Sequence, residues 1–142
     1  MTTTIRQIVR NKPDVYAVAP EETVYNALTL MAEKNIGAVL VLEGQEIKGI
    51  FSERDYARRG ILQGHTSRET AVREVMTPNV ICIEPSASVD MCMALMTDRR
   101  IRHLPVVEGS QLLGVVSIGD VVRAVVDEQQ FTIQSLVSYV TS

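Results

Sequence analysis

Apolar and polar positions along this chain fall into short blocks whose order recurs. Val15-Tyr16-Ala17-Val18 is a brief extended run stopped by Pro20. Val24, Ala27, Leu28, Met31 and Ala32 follow at three- and four-residue spacing, which predicts an amphipathic helix with Thr23 placed to cap it. Ala38 to Leu42 is a continuous apolar run of strand length, the pattern of a strand covered on both faces. The polar Glu43-Gly44-Gln45-Glu46 then turns the chain back into Ile47 to Phe51, as in a β-hairpin. After Ser52 a second helix is expected, carrying Tyr56 and Ala57, so the unit reads β-α-β-β-α.

The same grammar returns sixty-five residues later. Val80 to Ile83 precedes Pro85, Ser88 can cap a helix bearing Val89, Cys92, Met93 and Met96, and His103 to Val107 leads through Glu108-Gly109-Ser110-Gln111 into Leu112 to Val116. Residues 20–58 align on 85–123 without a gap, pairing Gly49 with Gly114, Ser52 with Ser117, Asp55 with Asp120 and Arg58 with Arg123. A duplicated unit of about sixty residues explains this most simply. The expected division is residues 1–70 for the first repeat and its connecting loop, 71–128 for the second, and 129–142 for a final helix. Gly60 to Thr70, with His65, reads as an exposed connection, Ala71 to Val75 as a short helical turn, and Thr77-Pro78 as the restart. The methionines Met91, Met93 and Met96 read as core filling. Ile133, Leu136, Val137 and Val140 lie on one face of the final helix, and that face needs a cover.

In both copies an apolar strand hands over to a helix through Ser-x-x-Asp, as Ser52-Glu53-Arg54-Asp55 and Ser117-Ile118-Gly119-Asp120. Serine at the N-cap and aspartate three residues on make a short capping box, in which hydroxyl and carboxylate each take backbone N–H groups that the helix leaves unpaired. The carboxylate is favoured as the anion by the helix dipole, and spare N–H groups there can also receive a phosphate.

Composition narrows the function classes. Among 142 residues, 46% are hydrophobic and 22% charged, ordinary values for a folded domain, so disorder is excluded. Aromatics make up only 4% and tryptophan is absent, so the core must be aliphatic. A net charge of −3 argues against wholesale nucleic-acid binding. Cys82 and Cys92 lie far from His65 and His103 in type and spacing from any zinc motif, and both are expected to be small buried hydrophobes in a reducing compartment. No apolar stretch reaches membrane-spanning length and no secretory leader is recognisable, so the chain is expected to be cytoplasmic.

The repeat period, the element order, the Val-Met-Thr-Pro entry at Val75 to Pro78, the Arg-His-Leu-Pro-Val run at Arg102 to Val106 and the two Ser-x-x-Asp steps together resemble the cystathionine β-synthase (CBS) domain family, in the tandem arrangement called a Bateman module. The resemblance covers about Ile5 to Val126 and leaves only the C-terminal helix outside. It implies an α+β fold of two β-α-β-β-α repeats packed about a pseudo-twofold axis, with clefts that adenosine nucleotides occupy.

Carried over residue by residue, the resemblance gives Asp55 and Asp120 the ribose hydroxyls, with Ser52 and Ser117 beside the ribose and phosphates. A vicinal diol calls for a two-oxygen acceptor, which an ionised carboxylate supplies. Tyr16-Ala17-Val18 and Ile81-Cys82-Ile83, with Gly37 and Ala38, are the candidate wall for the adenine. Arg102 and His103 are the candidate phosphate contacts, joined by Arg54, whose counterpart in the second copy is Gly119. Arg99 and Arg100 read as a solvated helix end offsetting its dipole.

No nucleophile-base pair, P-loop or Rossmann glycine pattern is present, so the expectation is a non-catalytic module, with no catalytic cofactor and no metal. Its ligand would be AMP, ADP, ATP or NAD, and it would signal energy or nucleotide state to a separate effector protein. The alternative is a dimeric adaptor with degenerate clefts, against which the presence of both aspartates counts. The resemblance, and the uncovered face of the last helix, also point to a homodimer.

Overall fold

A computed structural model of the chain describes residues 3–12 and 14–141. Its elements, in order, are α1 (Ile5–Arg10), β1 (Ala17–Val18), α2 (Val24–Lys34), β2 (Ala38–Glu43), β3 (Glu46–Ser52), the single turn α3 (Glu53–Asp55), β4 (Thr77–Pro78), α4 (Val89–Arg99), β5 (His103–Glu108), β6 (Gln111–Ser117) and α5 (Ile118–Thr141). The chain separates into two compact α+β units, residues 16–80 and residues 1–15 with 81–142.

The unit of residues 16–80 is built on a four-stranded sheet in the order β1-β2-β3-β4, with β1 parallel to β2 and the other pairs antiparallel. Gly44, at φ 63°, makes the tight hairpin turn between β2 and β3 that a side chain would strain. Helix α2 starts where the Thr23 hydroxyl oxygen accepts the Asn26 N–H at 3.1 Å, and it ends on Asn35 in the left-handed region. Its apolar face, Val24, Ala27 and Met31, is buried with Val39, Val41 and Phe51. Val72 and Val75 complete that core from a 3₁₀ turn at Val72–Glu74, held by Val72 N–H to the Glu22 carbonyl at 2.8 Å.

The other unit repeats this plan with a different filler. The β5–β6 hairpin and α4 bury Leu104, Val106, Val116, Val89, Cys92 and Met96, and the missing side is supplied by Ile5 and Val9 of α1. Thr4 bridges Ser88 just as Ala71 bridges Thr23 in the first unit. The lead-in segments are thus equivalent, Ile5 matching Val72 and Val9 matching Met76, and each is held by the sheet it meets. Gly49 and Gly114 make room for them. A Cβ on Gly49 would lie 2.6 Å from the Met76 sulfur and 2.8 Å from the Thr77 carbonyl oxygen, and one on Gly114 would lie 3.2 Å from Val9 Cγ1.

Several expectations are revised. The run Val80 to Ile83 is not a strand; only Ile83 joins the sheet, through bonds to the Pro105 carbonyl and from the Val107 N–H, because Asn79 at φ 54° bends the approach. The second helix of the first copy stops after one turn and passes into a π turn at Tyr56–Gly60 and a 3₁₀ turn at Ile61–Gln63. Gly60 packs beneath the Tyr56 ring there, and Gly64, at φ 81°, ends the segment. Its counterpart α5 meets no such break and runs for 24 residues, so the C-terminal helix expected at 129–142 is continuous with it as far as Thr141, Ser142 lying outside the described residues. In packing terms the compact units cut across the chain order: residues 71–80 pack within the unit of residues 16–80, and the lead-in before residue 16 packs with residues 81–142. Cys82 is exposed, and only Cys92 is buried. Met96 fills the core, whereas Met91 is exposed. Among the described residues, no helix is long and apolar enough to cross a membrane.

Because backbone cannot yield as a side-chain tip can, Gly49→Ala is expected to lower stability by about 1–3 kcal/mol, as overpacked cores do. Gly114→Ala should cost clearly less, since only the Val9 side chain must move. Urea denaturation of the two variants checks the order; equal midpoints would remove the account.

Candidate ligand site

Each Ser-x-x-Asp step forms the capping turn that its sequence predicts. In the first, Ser52 is extended (φ −122°, ψ 165°), its Oγ accepts the Asp55 N–H at 3.1 Å, and Asp55 Oδ2 accepts the Ser52 N–H at 2.9 Å. The Thr77 hydroxyl donates to the other carboxylate oxygen, Oδ1, at 3.0 Å. In the second, Asp120 Oδ2 accepts the Ser117 N–H at 2.8 Å, and Ser117 Oγ accepts the Asp120 N–H at 3.2 Å. The same Oδ2 receives the Lys12 ammonium at 2.8 Å, and Lys12 Nζ also donates to the Val115 carbonyl at 2.7 Å. Both aspartates are half-buried.

The sheets bring some of the expected residues to these turns. Ala38 lies opposite Ser52, and the Gly37 carbonyl accepts the Glu53 N–H at 3.1 Å. In the same way His103 lies opposite Ser117, and the Arg102 carbonyl accepts the Ile118 N–H at 2.8 Å. Arg102 is exposed and His103 half-buried at the mouth of the second turn, while Arg54 is exposed inside the first. Tyr16, Ala17 and Val18 are half-buried along β1, with the Lys34 ammonium 5.4 Å from the Tyr16 ring centre. Of the second set, Ile81 is half-buried and Cys82 exposed, but the Ile83 side chain lies in the core and cannot face a ligand. Arg99 pairs with Asp98 at 3.6 Å and Arg100 ends α4 in the left-handed region, as a solvated helix end would.

Three residues beside these turns escaped the sequence reading: Lys12, Thr77 and Arg123. The first two come from the lead-in segments and touch aspartates far along the chain. The signal that could have found them is the match of Ile5 to Val9 with Val72 to Met76, which brings the residues shortly after each stretch, Lys12 three beyond and Thr77 one beyond, toward the turn that their lead-in meets. Arg123 was visible as an identity with Arg58, and it lines a cavity of about 380 Å³ between α1 and α5, together with Lys12, Asp120, Asp127 and Phe131. That volume is within the range of small-molecule pockets.

Burial by itself would raise the Asp120 carboxyl, but the Lys12 hydrogen bond and charge, with the Ser117 hydrogen bonds, outweigh it and hold its pKa below the ordinary value of 3.8. Burial pushes the Cys92 thiol up to about 11 and raises Cys82 as well, so neither is a poised thiolate. Among the described residues, no group of three or more His, Cys, Asp or Glu could hold a metal ion.

A carboxylate whose folded pKa is depressed contributes stability above its unfolded value, and that contribution is lost as pH falls through the folded one. Lys12→Met is therefore expected to lower the urea midpoint at neutral pH, with the difference from the parent chain shrinking once pH drops below about 3.8. Denaturation series at several pH values check this; a gap that persists in acid would show that Lys12 acts by packing.

Comparison with known proteins agrees with the repeat and the fold. The family model described as "CBS domain" matches residues 5–61 and 72–127. The mitochondrial CBS domain-containing protein CBSX3 of Arabidopsis thaliana is 45% identical over 125 residues, which are 84% of this chain and 61% of the relative, so the chain spans about three fifths of that protein. A solved protein with CBS domains from Burkholderia ambifaria MC40-6 superposes with a TM-score of 0.86 at 52% identity, covering 92% of this chain and 99% of that one. The CBS domain pair of protein MJ0100, solved in complex with 5′-methylthioadenosine and S-adenosyl-L-methionine, reaches a TM-score of 0.78 at 23% identity over 90% of this chain and 99% of that one, a likeness of fold alone. Two matched copies, the shared α+β architecture and these relatives place the chain in the CBS domain family, as a tandem CBS pair.

Proposed function

We propose that this CBS pair is a non-catalytic regulatory module that binds adenine nucleotides, AMP, ADP, ATP or NAD, at its two Ser-x-x-Asp turns and passes nucleotide state to a separate partner protein. The observation that carries the reading is the presence, in both copies, of a half-buried aspartate fixed by its own capping serine. That fixation orients a carboxylate toward a diol without cost at the moment of binding, since the capping bonds already restrict its rotamer. The adenosyl ligands of the MJ0100 pair support the ligand class. Asp55 with Ser52 and Asp120 with Ser117 would hold riboses, Arg54, Arg102 and His103 would meet phosphates, and Tyr16, Ala17, Val18, Gly37, Ala38, Ile81 and the exposed Cys82 would flank the base. Cytoplasmic residence belongs to the same reading, and suits two cysteines that form no disulfide.

Homodimer formation is the second reading, favoured by one observation: Ile133, Leu136, Val137 and Val140 are all exposed on α5. If the nucleotide sites prove degenerate, this surface makes the chain a dimeric adaptor.

AMP, ADP, ATP or NAD is expected to raise the melting temperature, with stabilisation of about 2.7 kcal/mol at 100-fold over the dissociation constant. Asp55→Ala and Asp120→Ala should each remove one component of the binding; no shift with any of these ligands at millimolar concentration overturns the nucleotide reading. Separately, Ile133→Glu combined with Leu136→Glu is expected to convert a dimer to a monomer in sedimentation, and an unchanged sedimentation coefficient removes α5 from the interface.

A further inference from the structure

The two turns differ in what holds the carboxylate. Asp55 receives hydroxyl and amide donors only, from Ser52 and Thr77, and enters no ion pair among the described residues. Asp120 carries an ammonium on Oδ2, while none of the described residues donates to its Oδ1. Resting on the nucleotide reading above, we propose that Lys12 makes the Asp120 site select phosphorylated adenine ligands over neutral nucleosides, a selection the Asp55 site lacks.

The physical steps are as follows. A ribose diol that engages both carboxylate oxygens competes with Lys12 for Oδ2. A neutral nucleoside that wins leaves the ammonium, whose side chain is 34% exposed, without its anion and offers nothing in return. A phosphate ester restores an anion, and the four-carbon stem of lysine lets Nζ move to it while the backbone stays in place. Arg123 supports this from the same cavity wall, one turn along α5 from Asp120, and it enters no ion pair among the described residues. Asp127 and Glu128 follow one turn further on and make the far end of the cavity negative, which directs a phosphate to the Lys12 end. At Asp55 there is no ammonium to displace, so a neutral nucleoside meets no such penalty.

Calorimetric titration of AMP and adenosine into the full chain carrying Asp55→Ala, with and without Lys12→Met, tests the proposal. The preference for AMP over adenosine is expected to fall about tenfold in Lys12→Met, without loss of adenosine affinity. Lys12→Arg keeps the charge and should keep most of the preference. An unchanged ratio, equal weakening of both ligands, or a Lys12→Arg protein as indifferent as Lys12→Met overturns it. If Lys12→Met melts below the assay temperature, rising salt must narrow the ratio in the Asp55→Ala chain, and a salt-independent ratio overturns the proposal instead. Should the parent chain bind AMP and the Asp55→Ala chain bind neither ligand, the selection at Asp120 is refuted while the nucleotide reading survives; a parent chain that binds neither refutes both.

Discussion

The close approach of a lead-in segment to a glycine in the middle of a strand is the constraint on which the rest depends. Neither hairpin can bury its inner face with its own residues, because Gly49 and Gly114 leave gaps that Met76 and Val9 fill. Seating those side chains fixes the backbone that follows. Thr77 is the next residue after Met76 and reaches Asp55, while Lys12 lies three beyond Val9 and reaches Asp120. Core packing therefore sets the chemistry of the turns. A change of side chain at Val9, remote from any ligand, shifts the group that meets the second aspartate.

Duplication accounts for the shared frame, and divergence for the different chemistry within it. The capping bonds are nearly superposable between copies, with Ser N–H to Asp distances of 2.9 and 2.8 Å. What differs is the third partner: a neutral hydroxyl at one site and a cation at the other. A neutral donor leaves the carboxylate its full charge, whereas an ammonium spends part of that charge internally and lowers the proton affinity of the acid. Two sites of one ancestry can so come to differ in ligand selectivity through a single lead-in residue, with no alteration of the turn itself.

Much of this was legible in the sequence because it is local. Helix α2 and α4 show their period and their Thr23 and Ser88 caps, the hairpins show their glycine turns, and the Ser-x-x-Asp steps close on themselves within three residues. The register of each hairpin, seen only in the structure, then places Ala38 by Ser52 and His103 by Ser117. What stayed hidden depends on distant chain. The Lys12–Asp120 pair spans 108 residues and no periodicity announces it. Val80 to Ile83 has strand composition, yet Asn79 turns it aside, and the Ile83 side chain, grouped with Ile81 and Cys82 as a ligand wall, lies in the core. The short second helix of the first copy looked equivalent to α5 because Gly60 was read as a loop residue rather than as the seat of the Tyr56 ring.

The lead-in arrangement also bears on how the chain acquires its structure during synthesis. For the unit of residues 16–80 the filler, Val72 to Met76, emerges from the ribosome directly after the strands it completes, so that unit can close as soon as it is made. The other unit is wired in the opposite sense. Ile5 and Val9 are translated well before the surfaces that bury them, which run from Ile83 to Val121. Ile5 and Val9 cannot dock until those later surfaces exist, and their docking is a contact of high sequence separation with the slow closure that such contacts carry.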